Sequence, residues 1–290
     1  MDKNTWIGFL LIAIIIVGFS WVGRPSKEEL AERQRVRDSI TLAQQMEQEA
    51  QFLSDQITAQ LQADSAHANE PTTNEDLQNK LQAAYGAFAV SAQGENKATV
   101  LENEKIRLYI DNKGGRIARA ELKEYKAYGD SVNPLCLFRA DEAKQSFTLI
   151  TANNRILHTD NLYFEPIESE VGTLIMRLHT DQEDAYLDFV YTLPENDYMV
   201  GMAIHAHNMQ TVLAQNVNSL EMQWRQLIPQ QERGRKFEER YAQLQYMLLD
   251  GDMETLSESK HTTKKENTRV RWIGYKDQFF STVMIADEAF

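Results

Sequence analysis

The chain has one cysteine, Cys136, which excludes an intrachain disulfide framework. Its neighbours Pro134, Leu135, Leu137 and Phe138 are apolar. It therefore reads as a buried, inert thiol rather than a nucleophile, which needs an electropositive, partly exposed setting. Basic residues are also in deficit: 30 lysines and arginines against 43 acids leave a net charge of -13. Such a surface is poorly suited to nonspecific nucleic-acid binding, which needs a basic footprint on phosphate. The usual catalytic signatures are missing too. There is no P-loop, no Gly-x-Ser-x-Gly and no His-Glu-x-x-His. Nor does a second apolar run of spanning length follow Val22.

The one long apolar run is Trp6 to Val22, and it contains no charge. Its 17 residues rise roughly 25 Å as a helix, at the short end of what a ~30 Å hydrocarbon core requires. Trp6 and Trp21 stand near its two ends, where amphipathic indoles favour the lipid–water boundary. A cleaved signal peptide is the rival reading. The only basic side chain before the run is Lys3, and Gly18 to Gly23 lacks a clean small-x-small cleavage site. Residues 1–25 are therefore read as a retained membrane anchor. Orientation is contested by the charges: Lys3 precedes the run, whereas Arg24, Lys27, Arg33, Arg35 and Arg37 follow it. That count alone favours a cytoplasmic soluble domain.

Residues 26–98 read as a tether. Ser26 and Glu29 have capping-box spacing, and Val36, Ile40, Ala43, Met46, Ala50, Leu53, Ile57 and Leu61 continue at helical period. This is either a solvated stalk or a helix that contacts a partner. Asp64 to Asn74 is small and polar, as in a linker. Asn74 is placed to start a second short helix bearing Leu77, Leu81, Ala84, Tyr85 and Phe88, with a polar stretch from Ser91 to Lys97.

From residue 99 to 290 the period becomes two. Ile106, Leu108 and Ile110 share one face, as do Leu174, Met176 and Leu178, and Leu187, Phe189, Tyr191 and Leu193. The alternation continues in Val200 to Ala206, Leu220 to Trp224 and Ala242 to Leu248, and Val283 and Ile285 share a face near the end. Half-buried strands with little helix between them predict a mainly β, large antiparallel sandwich. One helical interruption is expected within Gln230 to Glu239, where the charge is dense.

Four groups are candidate sites. Gly114 and Gly115 suit a hairpin turn, because glycine accepts positive φ. His205 and His207, two apart on a strand, would face one way and suit one metal, with His158 or His179 as third ligand; a solvent-facing pair is the simpler reading. Asp250, Asp252 and Glu254 lack EF-hand spacing and read as a turn. Asp181, Glu183 and Asp184 fall where a strand-connecting loop is expected, with no acid or base paired to them. No catalytic, cofactor or metal residue emerges, and Trp6 and Trp21 are the named positions.

Larger blocks carry more information. The opening MDKNTWIGFLLI with RPSKEELAERQ, then LENEKIRLYIDNKGGRIARAELKEYKAY, NPLCLF, YTLPENDYMVGMAI and RVRWIGYKDQFFSTVMIA, follow one another in order. In that order and spacing the chain resembles the Gram-negative YidC family of membrane-protein insertases. The second block resembles the opening hairpin of that family's large periplasmic domain. The last resembles its aromatic strand pair, with Trp272, Tyr275, Phe279 and Phe280. The resemblance implies a first helix with its N-terminus in the cytoplasm, followed by a periplasmic β-supersandwich related to mutarotase domains. It also implies inner-membrane location and the lipid bilayer, nascent membrane proteins and the Sec translocon as partners. No cofactor, nucleic acid or small-molecule substrate is implied. Because a very short N-tail is a poor case for loop statistics, the family topology is preferred over the charge count. The family's groove-bearing helices have no counterpart before Phe290. The chain is thus expected to be an N-terminal half that serves as anchor and scaffold, stopping short of the domain's last elements. A carbohydrate-binding or epimerase-like sandwich and a membrane-anchored adaptor are the alternatives.

Overall fold

A computed structural model describes residues 74–167, 170–217, 219–257 and 263–290. The anchor with Trp6 and Trp21, and the Ser26–Leu61 stripe, lie outside these residues. Among the described residues no helix is long and apolar enough to cross a membrane.

The described chain opens with helix α1 (Asn74–Tyr85), continued by a 3-10 turn, Gly86–Ser91. Strands β1 (Ala98–Glu102), β2 (Ile106–Asp111), β3 (Ile117–Leu122) and β4 (Leu135–Phe138) follow. They form one antiparallel sheet in sequence order. Next come β5 (Ala143–Ile150), β6 (Ile156–His158), β7 (Glu165–Ile167), β8 (Thr173–His179), β9 (Tyr186–Thr192) and β10 (Gly201–His207). Strand β11 (Glu221–Gln226) leads to the short helix α2 (Arg235–Glu238). The chain then runs through β12 (Gln243–Leu248), β13 (Met253–Ser257), β14 (Val270–Lys276) and β15 (Ser281–Ile285). The other sheets have the orders β10-β9-β8-β7, β11-β5-β6 and β13-β12-β14-β15. Every pairing between these strands is antiparallel.

The period-two pattern is what buries the core. Ile106, Leu108 and Ile110 on β2 face inward, as do Leu174, Met176 and Leu178 on β8 and Leu187, Phe189 and Tyr191 on β9. Aromatic rings fill the space between sheets: Phe189 lies 4.7 Å from Phe164 and 5.3 Å from Phe147. Antiparallel sheets packed through one apolar core make the expected β-sandwich. Helix α1 and its 3-10 extension join the same core through Leu81, Tyr85 and the fully buried Phe88. The period-3.6 spacing of residues 77–88 thus serves to cap the sandwich core.

Two local expectations meet the structure differently. The Gly114–Gly115 pair does turn β2 into β3, with φ of 89° and 60°. Val283 and Ile285, expected on a buried face, are exposed instead. Strand β15 lies at the edge of its sheet, and Met284, opposite Ile273, occupies its more covered side. An edge strand has one neighbour, so alternation there does not fix which face is covered.

Candidate functional site

The outer face of the β10-β9-β8-β7 sheet gathers a cluster of polar side chains. Leucine, methionine and phenylalanine point inward on β8 and β9, so the residues between them point outward. The register places Glu165, Arg177, Asp188 and His205 in one cross-strand row. His179, Tyr186 and His207 form the next.

Asp188 is buried, and its carboxylate accepts two parallel hydrogen bonds from Arg177, Nε to Oδ1 and Nη2 to Oδ2, each 2.8 Å. This bidentate pairing raises the Arg177 pKa above its ordinary value. The guanidinium stacks 3.7 Å above the Tyr186 ring, which stacks in turn on His207 at 4.6 Å. His207 Nε2 is 3.7 Å from Asp188 Oδ2. Both carboxylate oxygens of Asp188 are thereby engaged. The arrangement makes a rigid, recognisable surface and offers no poised base.

His179 ends β8 with Nε2 2.9 Å from Glu165 Oε2. The pair borders an open cleft of about 450 Å³, also lined by Ser91, Asn112, Tyr163 and Phe164. Ser91 Oγ donates to the His179 carbonyl at 2.9 Å, which ties the 3-10 turn to β8.

The other sequence candidates are dispersed. His205 and His207 do share a face of β10, with ring centroids 6.5 Å apart, and both are exposed. His158 sits on β6, in a different sheet, and His179 is engaged with Glu165. Among the described residues no group of three or more metal-ligating side chains is brought together. Asp250 and Asp252 form a turn: Gly251 has φ of 99° and the Asp252 amide donates to Asp250 Oδ1 at 3.2 Å. Glu254 instead starts an ion pair with Lys264 at 2.9 Å. Asp181, Glu183 and Asp184 lie in the β8–β9 loop. Cys136 is half-buried, its thiol donates to the Phe138 carbonyl at 3.1 Å, and burial pushes its pKa up. That is an unreactive setting.

The C-terminal aromatics do stand on a strand pair. Trp272 and Tyr275 belong to β14, and Phe279 and Phe280 to the turn before β15. Tyr275 donates to the Trp224 carbonyl at 2.9 Å and meets that indole edge-on at 4.7 Å, which joins this sheet to β11. The Arg177–Asp188–Tyr186–His207 stack had escaped sequence reasoning. Its signal was the alternation of these polar residues with core positions, but register alone brings them side by side.

The comparisons with known proteins agree with this architecture. The family model for the YidC periplasmic domain matches residues 98–290. A protein of Parabacteroides distasonis named "Membrane protein insertase YidC" is 45% identical over the whole chain, which covers 45% of that relative. Proteins of the same name from Azobacteroides pseudotrichonymphae and Phocaeicola vulgatus are each 37% identical, again over the whole chain and over 43% and 44% of their own lengths. The chain spans somewhat under half the length of the curated relatives it matches. The matched span begins where β1 begins and takes in all fifteen strands of the described residues, and on that ground the chain belongs to the YidC periplasmic domain family.

Proposed function

We propose that this chain is the N-terminal region of a membrane-protein insertase of the inner membrane. Residues 1–25 anchor it, with Trp6 and Trp21 at the two lipid boundaries. Residues 26–98 connect anchor to domain, and the last part of that connection docks on the core. Residues 99–290 form a periplasmic scaffold. The observation that carries this reading is the family match over residues 98–290, together with similarity along the whole chain to proteins named as insertases. The partners are the bilayer, nascent membrane proteins and components of the Sec translocon. The role is contact and positioning rather than chemistry, in keeping with the fully engaged polar stack on the β10-β9-β8-β7 sheet.

Photo-crosslinking in a Gram-negative host tests it. With a crosslinking amino acid at exposed positions of the domain, such as 205 or 207, the expected adducts are nascent membrane proteins and Sec components, identified by mass spectrometry. Adducts confined to soluble periplasmic enzymes would contradict the proposal.

A further inference from the structure

One end of the sandwich has a composition at odds with the acidic chain. It lies where β2 begins and β3 ends. After Leu122 the chain runs through Tyr125 and Tyr128, and the Tyr128 amide donates to the Gln231 carbonyl at 2.7 Å. That bond brings the α2 segment alongside. Cation–ring and ring–ring contacts occur along this segment and its neighbours. Arg233 sits 6.0 Å over the Tyr128 ring and Arg240 6.0 Å over Phe237. Phe237 meets Tyr241 at 5.6 Å, and Lys276 lies 5.9 Å over Tyr241. The turn after Lys276 presents Phe279 and packs Phe280 edge-on against Tyr125 at 5.4 Å. Several of these rings are open to solvent: Tyr128 is 61% exposed, Phe237 50% and Phe279 66%.

The charges here are asymmetric. Arg233, Lys236 and Arg240 are exposed and form no ion pair among the described residues. Most neighbouring carboxylates are engaged within the domain; that of Glu232, beside Arg233, has no partner among the described residues. Glu238 is buried and accepts the Gln231 amide at 2.7 Å. Asp277 accepts the amides of Phe279 and Phe280 at 2.8 and 2.7 Å. Glu239 pairs with Arg235 at 2.9 Å, and Glu124 accepts the Tyr198 hydroxyl. Three free cations beside exposed rings, against the single free carboxylate of Glu232, complement an anionic headgroup layer above an apolar boundary. A basic, aromatic patch on a chain of net charge -13 is not a sampling of the average surface.

We propose that this end of the domain, centred on Tyr128, Arg233, Phe237 and Arg240, is a docking surface for an anionic lipid bilayer. The inference rests on the reading of residues 1–25 as an anchor only for proximity, since a tethered domain meets the bilayer surface continually. Each basic side chain near an anionic surface strengthens the contact roughly fivefold, so reversing two should weaken it at least thirtyfold or so.

The test uses the full chain in nanodiscs at one chain per disc, which excludes contact with a second copy. With Cys136→Ser as background, a polarity-sensitive fluorophore is placed at Phe237→Cys. A control label goes at Val90→Cys, an exposed residue in the 3-10 turn beside the far end of β8. In discs containing phosphatidylglycerol, the label at 237 should shift to the blue and be quenched by a spin-labelled lipid, and the label at 90 should not. About 1 M salt, which shortens the screening length to about 3 Å, should abolish the shift. The exposed pair Arg233→Glu and Arg240→Glu should abolish it as well, with strand content unchanged by circular dichroism. No shift at 237, or a stronger one at 90, overturns the proposal. A shift that persists in pure phosphatidylcholine or survives the charge reversal also overturns it and points to a protein contact. Failure of the anchor reading would show separately, as release of the whole chain from the discs.

Discussion

At Gly115 two constraints meet in one residue. Its φ is 60°, and a Cβ built there would lie 2.8 Å from the Phe164 ring, which is fully packed against Phe189. Its carbonyl also accepts the buried Tyr191 hydroxyl at 2.6 Å, linking the β2–β3 turn to β9. Gly115→Ala should therefore destabilise the domain by about 1–3 kcal/mol through strain and overpacking, read as a lower urea midpoint. Gly129, with φ of 84° but nothing near its Cβ, should lose less on the same change. Asp160 gives a pH dependence of known sign. Burial alone would raise its pKa, but the Ser146 hydroxyl at 2.7 Å and the Lys144 ammonium at 2.9 Å outweigh it and hold it below the ordinary carboxylate value. A depressed carboxylate stabilises the fold above its unfolded pKa, and that contribution is lost as pH falls through the folded value. Asp160→Asn should thus lower stability at neutral pH and flatten its decline below about pH 4. Wild type and variant with parallel curves throughout would contradict this.

At the scale of elements, the helix before the first strand is part of the core rather than a passive leader. Phe88 is fully buried, whereas Val90, two residues on, is largely exposed. Phe88→Ala should cost about 3–5 kcal/mol and Val90→Ala should stay within about 0.5 kcal/mol, measured by thermal or chemical unfolding. The sequence shows the strands well because hydrophobic alternation is a local signal. Leu174, Met176 and Leu178 announce β8 without reference to any other segment. The docking of Phe88 and the exposure of Val283 and Ile285 depend on which elements become neighbours, and no local period encodes that. Similarly, the hairpin was legible in Gly114–Gly115, while the Arg177–Asp188 pair was not, because it requires the β8–β9 register. The cation–ring contacts of Arg233 with Tyr128 and of Lys276 with Tyr241 join residues far apart in the chain, beyond the reach of spacing arguments. Only the dense charge of Gln230 to Glu239 signalled that this stretch differs from its surroundings.

At the scale of the whole molecule, the family membership shown over residues 98–290 and the apolar run at Trp6 to Val22 are what the proposed plan joins, a β-sandwich tethered to a bilayer. The charge count after Val22 opposes the periplasmic side of that plan, and the two cannot both decide the topology. The basic residues of that count, Arg24 to Arg37, precede α1 in the sequence. The most direct measurement is a dual topology reporter fused after Phe290 and expressed in a Gram-negative host, with one half active only in the periplasm and the other only in the cytoplasm. Periplasmic activity alone is expected. Activity confined to the cytoplasmic half would show that Arg24, Lys27, Arg33, Arg35 and Arg37 set the orientation and that the sandwich is not a periplasmic domain.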